Sequence, residues 1–230
     1  IVPRICGICS VSQSVAAARA LADLSGSTPP PNGLLVTQLM LACENLADHL
    51  THFYLFFMPD FAHAAYAAQP WHAEVQRRFA AQQGASARAA LAARQRWFTL
   101  VGTLGGKWPH THSIQPGGST RAIDASERLR LLSTVREFRA FLEQQFFGDA
   151  LEAVSGLDSV AALEAWCAQA PLQGDLRLFL SVSATLGLAR QGTGTPRFLS
   201  YGAYRRDDGE PALAAGVYDA LTGQLSPIAW

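Results

Sequence analysis

Between the run Pro29-Pro30-Pro31 and Pro59 lies a stretch, Leu34 to Met58, that is apolar on nearly every side. Read as a helix it has no polar face to offer water, so it has to lie inside something. That requirement limits the fold more than any other feature of the chain. The rest must supply enough apolar partners to surround one long helix. Hydrophobic residues make up 49% of the 230 positions and charged residues 16%, so the partners are present. A compact chain of this size buries roughly 70% of the surface its unfolded form exposes. So little charge leaves little polar surface, and we expect a subunit with a large buried interface.

The remaining segments read mostly as helices. Val11 to Leu24 is Ala-rich and stops at Ser25-Gly26. Trp71 to Leu100 is helical with Gly84 as a break, and Gly102 to Thr120 is a Gly/Pro-rich loop. Ser126 to Phe147 repeats Leu129, Leu132, Val135, Phe138, Leu142 and Phe146 at helical steps, which predicts that face as its buried one. Val160 to Gln169 and Asp175 to Leu186 are shorter helices. Phe198 to Tyr204 and Gly216 to Tyr218 read as strands around a turn at Asp207-Asp208-Gly209. The expected fold is mainly α with a small β element late in the chain, and residues 1–230 are read as one domain.

Several functions are disfavoured. Lys plus Arg and Asp plus Glu are 18 each, so no basic field points to nucleic acid or anionic lipid. No apolar stretch reaches eighteen residues, so no membrane span is predicted; the run Leu50 to Phe57 is short and contains His52. Four cysteines, Cys6, Cys9, Cys43 and Cys167, do not make a secreted disulfide scaffold. No signal peptide is seen, and a cytoplasmic location is expected. The chain starts at Ile1 beside its best motif and stops at Trp230 within a strand-like segment, so we expect an internal piece of a longer protein.

That motif is Arg4-Ile5-Cys6-Gly7-Ile8-Cys9-Ser10-Val11-Ser12-Gln13. A Cys-x-x-Cys spacing lets two thiolates converge on one metal, with Gly7 easing the turn. Ser10 and Gln13 fit a capping box, so a helix should start just after Cys9. Its N-terminus and the charge of Arg4 should favour both thiolates. Spacing alone leaves open a redox pair, half a metal site, or no role. A redox pair normally follows a strand in a βαβ unit, which is not seen, and a zinc site needs a second ligand pair, whereas Cys43 and Cys167 are isolated.

The longer string, Arg4-x-Cys6-Gly7-x-Cys9 before an Ala-rich helix, resembles the first metal-binding motif of [NiFe]-hydrogenase large subunits. Asp48-His49-Leu50-Thr51-His52-Phe53-Tyr54 is similar to that family's Asp-His-x-x-His-Phe-Tyr segment. Gly105-Gly106-Lys107-Trp108-Pro109-His110 through Gly117-Gly118 looks like its Gly-Lys-x-Pro-His loop, and Phe198-Leu199-Ser200-Tyr201-Gly202 like its Phe-Leu-Ser-Tyr-Gly segment. The resemblance implies a buried long-helix bundle. It also implies a Ni–Fe centre held by four cysteines, with CO and cyanide on the iron. By position Cys6 would be a terminal nickel ligand and Cys9 a bridging one; soft thiolates suit both metals. H2 would be split there and electrons would leave through iron–sulfur clusters in a separate small subunit.

The family usually has His where this chain has Gln13. That places the resemblance nearest the H2-sensing branch, which implies a signalling kinase among the partners. Rivals are the large subunit of an uptake hydrogenase, and a metal-free structural or quinone-site relative as in respiratory complex I. Gln13 can donate to a cysteine sulfur or merely close the capping box. Asp48 could stand near the metals, or simply pair with His52 four residues on. His110, in a Gly-rich loop, is either part of a proton network or a loop-fixing group. His49 is read as a satisfied buried histidine and Cys43 as a small buried hydrophobe. The second Cys-x-x-Cys pair and the Arg-x-Glu-Gly-His segment of the family do not occur in this sequence. We therefore expect the 230-residue chain alone to bind no stable Ni–Fe centre and to be inactive.

Overall fold

Proline and glycine set the ends of the first two helices. Helix α1 (Ser10–Ser25) stops at Gly26, whose φ of 65° lets its N–H turn back to the Ala22 carbonyl. Helix α2 (Pro31–Thr51) starts with Pro31 in its first turn, where a missing N–H costs nothing. The computed structural model describes residues 1–192, 194–206 and 210–228. They fall into two compact units, Ile1–Thr185 and Leu186–Trp230.

In the first unit α2 is the central element. It continues into a π-helical stretch, His52–Phe57. After it come α3 (His72–Phe79), α4 (Ala85–Trp97) and α5 (Thr99–Gly105). The two-stranded ribbon β1 (Ile114–Gln115) and β2 (Gly118–Ser119) follows. Then come α6 (Ala125–Phe141), a second π-helical stretch Leu142–Phe147, α7 (Leu151–Ser155), α8 (Val160–Gln169) and α9 (Asp175–Leu186). Helix α2 buries Met40, Cys43, Ala47 and Leu50, followed by Tyr54 and Met58. Phe79, Val101, Leu104 and Val182 are likewise buried. The Trp97 ring stacks on Phe138 with centroids 4.1 Å apart, and Phe53 packs edge-on against Phe79, Phe146 and Phe179.

The ribbon lies against the start of α2 through two glycines. A Cβ on Gly118, where φ is +113°, would stand 3.0 Å from the Gly33 Cα, so a side chain there would push the ribbon off. Gly84 is the break between α3 and α4: a Cβ there would lie 2.3 Å from the Arg78 carbonyl oxygen.

The second unit is an antiparallel sheet of β3 (Arg197–Arg205), β4 (Pro211–Asp219) and β5 (Gln224–Ser226), in that order. The first pair runs in register from Arg197 opposite Asp219 to Arg205 opposite Pro211. The expected turn at Asp207-Asp208-Gly209 and the Trp230 end lie outside the described residues.

Four expectations need correction. The loop predicted from Gly102 is helical to Gly105, because burial of Leu100, Val101 and Leu104 outweighs the glycines. Helix α6 buries Leu131, Thr134 and Phe138, while Leu129, Leu132 and Val135 are exposed. The long apolar helix is not covered all round: Leu35, Leu39 and Leu46 form an exposed stripe. His49 on the same helix is exposed rather than buried. Among the described residues no helix is long and apolar enough to cross a membrane.

Candidate metal centre

The Cys6–Cys9 turn sits directly ahead of α1, with Cys9 as the residue that caps the helix. The Cys9 amide donates to Cys6 Sγ at 3.3 Å, folding the turn on itself. The Gln13 side-chain amide donates to Cys9 Sγ at 3.6 Å. Cys6, Cys9 and Gln13 are thus brought together, and all four cysteines carry free thiols.

The two sulfurs do not ionise alike. A hydrogen bond from the Cys9 side chain holds the Cys6 thiol below its usual range. The same bond pushes Cys9 up, and the Gln13 amide partly offsets this. One proton is shared between neighbouring sulfurs, because two adjacent thiolates repel. The expectation that both thiols are lowered holds for Cys6 and fails for Cys9. Arg4 does not contribute as expected, since its guanidinium lies 3.4 Å from His112 Nε2. Nor is glycine required at position 7: its φ is not positive, and a Cβ would meet Pro109 at an ordinary 3.9 Å.

The capping box does not form. Ser10 Oγ donates instead to Glu44 Oε1 at 3.3 Å, and Gln13 is turned to sulfur. Glu44, buried on α2, accepts from the Val11 and Ser12 amides at 2.9 Å each, from Ser12 Oγ at 3.2 Å and from Trp108 Nε1 at 3.0 Å. The network that Glu44 forms with Ser10 and Trp108 was not read from the sequence. The available signal was a carboxylate inside a largely apolar run, which needs partners.

His110 follows the cis peptide Trp108–Pro109 and has φ +61°. Its amide donates to Ser10 Oγ at 3.1 Å, and its Nδ1 donates to the Pro3 carbonyl at 2.7 Å. It ties its loop to both sides of the sulfur turn. Asp48, one turn beyond Glu44, is exposed, and its charge faces Arg94. The Arg94 guanidinium covers the Phe98 ring at 4.5 Å, and its Nε donates to Thr51 at 2.8 Å. His52 stacks on Phe57, so the four-residue spacing did not make an Asp48–His52 pair. Cys43 is fully buried, which pushes its thiol up to about 12.

A cavity of about 590 Å³ opens beside the turn, between Arg4, Ser14, Ala18, His110 and Ile114, but no cysteine lines it. Among the described residues no three His, Cys, Asp or Glu side chains converge as a metal site. The fit is to half a centre: two soft sulfur donors, close together and free, with a hydrogen-bond donor on one of them.

The family model for nickel-dependent hydrogenase matches residues 1–97. Over those residues the chain is similar to the nickel-dependent hydrogenases. It is 30% identical over 135 residues to a subunit of the F420-non-reducing hydrogenase vhu of Methanococcus voltae, covering 59% of this chain and 32% of that one. To the periplasmic [NiFeSe] hydrogenase large subunit of Desulfomicrobium baculatum it is 26% identical over 165 residues, 64% of this chain and 31% of the relative. The chain therefore spans about a third of the length of the curated relatives it matches. The Ni-Fe-Se hydrogenase structure from D. vulgaris Hildenborough superposes with a TM-score of 0.73 at 20% identity, over 99% of this chain and 43% of that one. At that identity the likeness shows the fold: the mainly α, hydrogenase-type architecture expected from the sequence.

Proposed function

We propose that this chain supplies the Cys6/Cys9 half of the Ni–Fe centre in the H2-activating subunit of a [NiFe] hydrogenase. The observation that carries the reading is the free sulfur pair folded at the head of α1, inside the segment that matches the family. When bound, the centre would supply heterolytic cleavage of H2, with CO and cyanide on its iron. This chain's part is to present two thiolates in fixed relation and to donate one hydrogen bond, from Gln13, to the sulfur of Cys9. A second cysteine pair, a small subunit carrying iron–sulfur clusters, and H2 complete the proposed assembly. Residues 1–230 form one piece of that larger domain.

Within the family we favour the H2-sensing type, with a cytoplasmic location and a signalling kinase downstream. Gln13 supports this, because a glutamine amide hydrogen-bonds sulfur without taking up a proton as histidine would. The uptake reading is the second one. It is favoured by the names of the matched relatives, an F420-non-reducing and a periplasmic hydrogenase. A metal-free relative has no use for a free, hydrogen-bonded cysteine pair.

The test is nickel content. The protein carrying this chain, made with its maturation machinery, should hold one nickel, and Cys6→Ser or Cys9→Ser should each lose it. Nickel retained in the double variant would defeat the reading. Slow H2 oxidation would support the sensor type and rapid turnover the uptake type.

A further inference from the structure

We propose that Glu44 is the positioning residue of the sulfur pair, a role that rests on reading Cys6 and Cys9 as ligands. A helix start leaves its first amides without intrahelical partners, and the preceding residue normally caps them with its own side chain. In α1 that residue is Cys9, which makes no side-chain cap because its sulfur is engaged with Cys6 and Gln13. The cap comes instead from another helix. Glu44 reaches across from α2 and takes one amide on each oxygen, Val11 on Oε1 and Ser12 on Oε2, both at 2.9 Å. Those amides are two and three residues from Cys9, so they fix the backbone from which its sulfur projects.

The same carboxylate holds the other wall. Trp108 Nε1 donates to Oε1, as does Ser10 Oγ, which in turn accepts the His110 amide. Glu44 is 2% exposed on a largely apolar helix, a costly place for a charge. Five donors from α1 and the Trp108 loop converge on its two oxygens. A buried group serving stability alone could be apolar. This one frees the capping position for sulfur while keeping the first turn of α1 rigid.

The experiment uses the 230-residue chain, anaerobically, with Co(II) as the probe and its sulfur-to-cobalt charge-transfer band as the signature. In Glu44→Gln one oxygen becomes an amide donor facing another donor. We expect amide exchange at Val11 and Ser12 to rise about tenfold, and Co(II) to bind about tenfold more weakly with a shifted band. Asp175→Asn, destabilised away from the site, should leave band and affinity unchanged. If Glu44→Gln alters cobalt binding no more than Asp175→Asn does, Glu44 is only structural and the proposal fails. Should Glu44→Gln not fold, the wild type decides: Val11 and Ser12 amides must be protected like mid-helix ones, and exchange at the rate of frayed first-turn amides overturns the proposal. A wild type with protected amides but no cobalt band would sink the ligand reading and leave the anchoring by Glu44 standing.

Discussion

At the residue scale the unequal sulfurs give the sharpest expectations. Cys6 is held below its ordinary range by the hydrogen bond from Cys9, and Cys9 is raised by the same bond. As pH rises, Cys6 should become the alkylated thiol first, Cys9 only at higher pH, and Cys43 not at all while the chain is folded. Iodoacetamide rates followed by peptide mass spectrometry against pH check this; Cys9 reacting first would refute it. The Gln13 amide lowers the Cys9 value, so Gln13→Ala should move the Cys9 profile to still higher pH and leave Cys6 nearly unchanged. The sequence made the cysteine pair and the reach of Gln13 to sulfur legible, because both are local: three and four residues separate the partners. Proton sharing was not legible, since it depends on how two side chains turn. Glu44 was visible only as an anomaly, because its partners lie 32 to 64 residues away.

At the element scale, helices bounded by local chemistry were read to the residue. Helix α8 begins at the Ser159 cap, and α9 spans the predicted Asp175–Leu186. Helix α6 shows the limit of such reading. Periodicity found an apolar stripe at Leu129, Leu132 and Val135, but the face turned inward is set by what α6 meets. Trp97 takes Phe138, and the helix's π-helical continuation brings Gln145 to Ser86 and Asp175. Asp175 is fully buried and accepts from Arg78, Ser86, Tyr54 and Gln145, so it ties α3, α4 and both π-helical stretches to α9. Asp175→Asn removes the charge facing Arg78 and should cost about 3 kcal/mol, read from urea unfolding. Glu74 stands beside the same arginine. Hydrogen bonds from Arg77, then Arg78, hold it at about 2 against an ordinary 4.5. A depressed carboxyl stabilises the fold while it is ionised. The stability difference between wild type and Glu74→Gln should therefore be complete above pH 4.5 and vanish as pH falls through about 2. A difference that grew on acidification would contradict the assignment.

At the scale of the whole molecule, low charge and an incomplete ligand set point the same way. Ile5 and Ile8, beside the two cysteines, are 68% and 53% exposed, and apolar stripes on α2 and α6 are uncovered as well. Surface of this kind is typical of interaction faces, and the proposed second cysteine segment or small subunit would cover it. The remaining thiols cannot complete a cage: Cys43 is sealed in the core against the Trp97 carbonyl, and Cys167 stands apart on α8. Two sulfur donors give nickel a partial site with open positions, so metal should exchange freely and escape to chelators. The 230-residue chain, expressed with hydrogenase maturation machinery and passed over a chelating column, should retain well under one nickel per chain by mass spectrometry and show no H2 oxidation. Joined to a segment that brings a second Cys-x-x-Cys pair, the same chain should hold nickel through the column. Retention of one nickel per chain by the 230 residues alone would mean that Cys6 and Cys9 find their other ligands within this sequence. The half-centre reading would then be wrong.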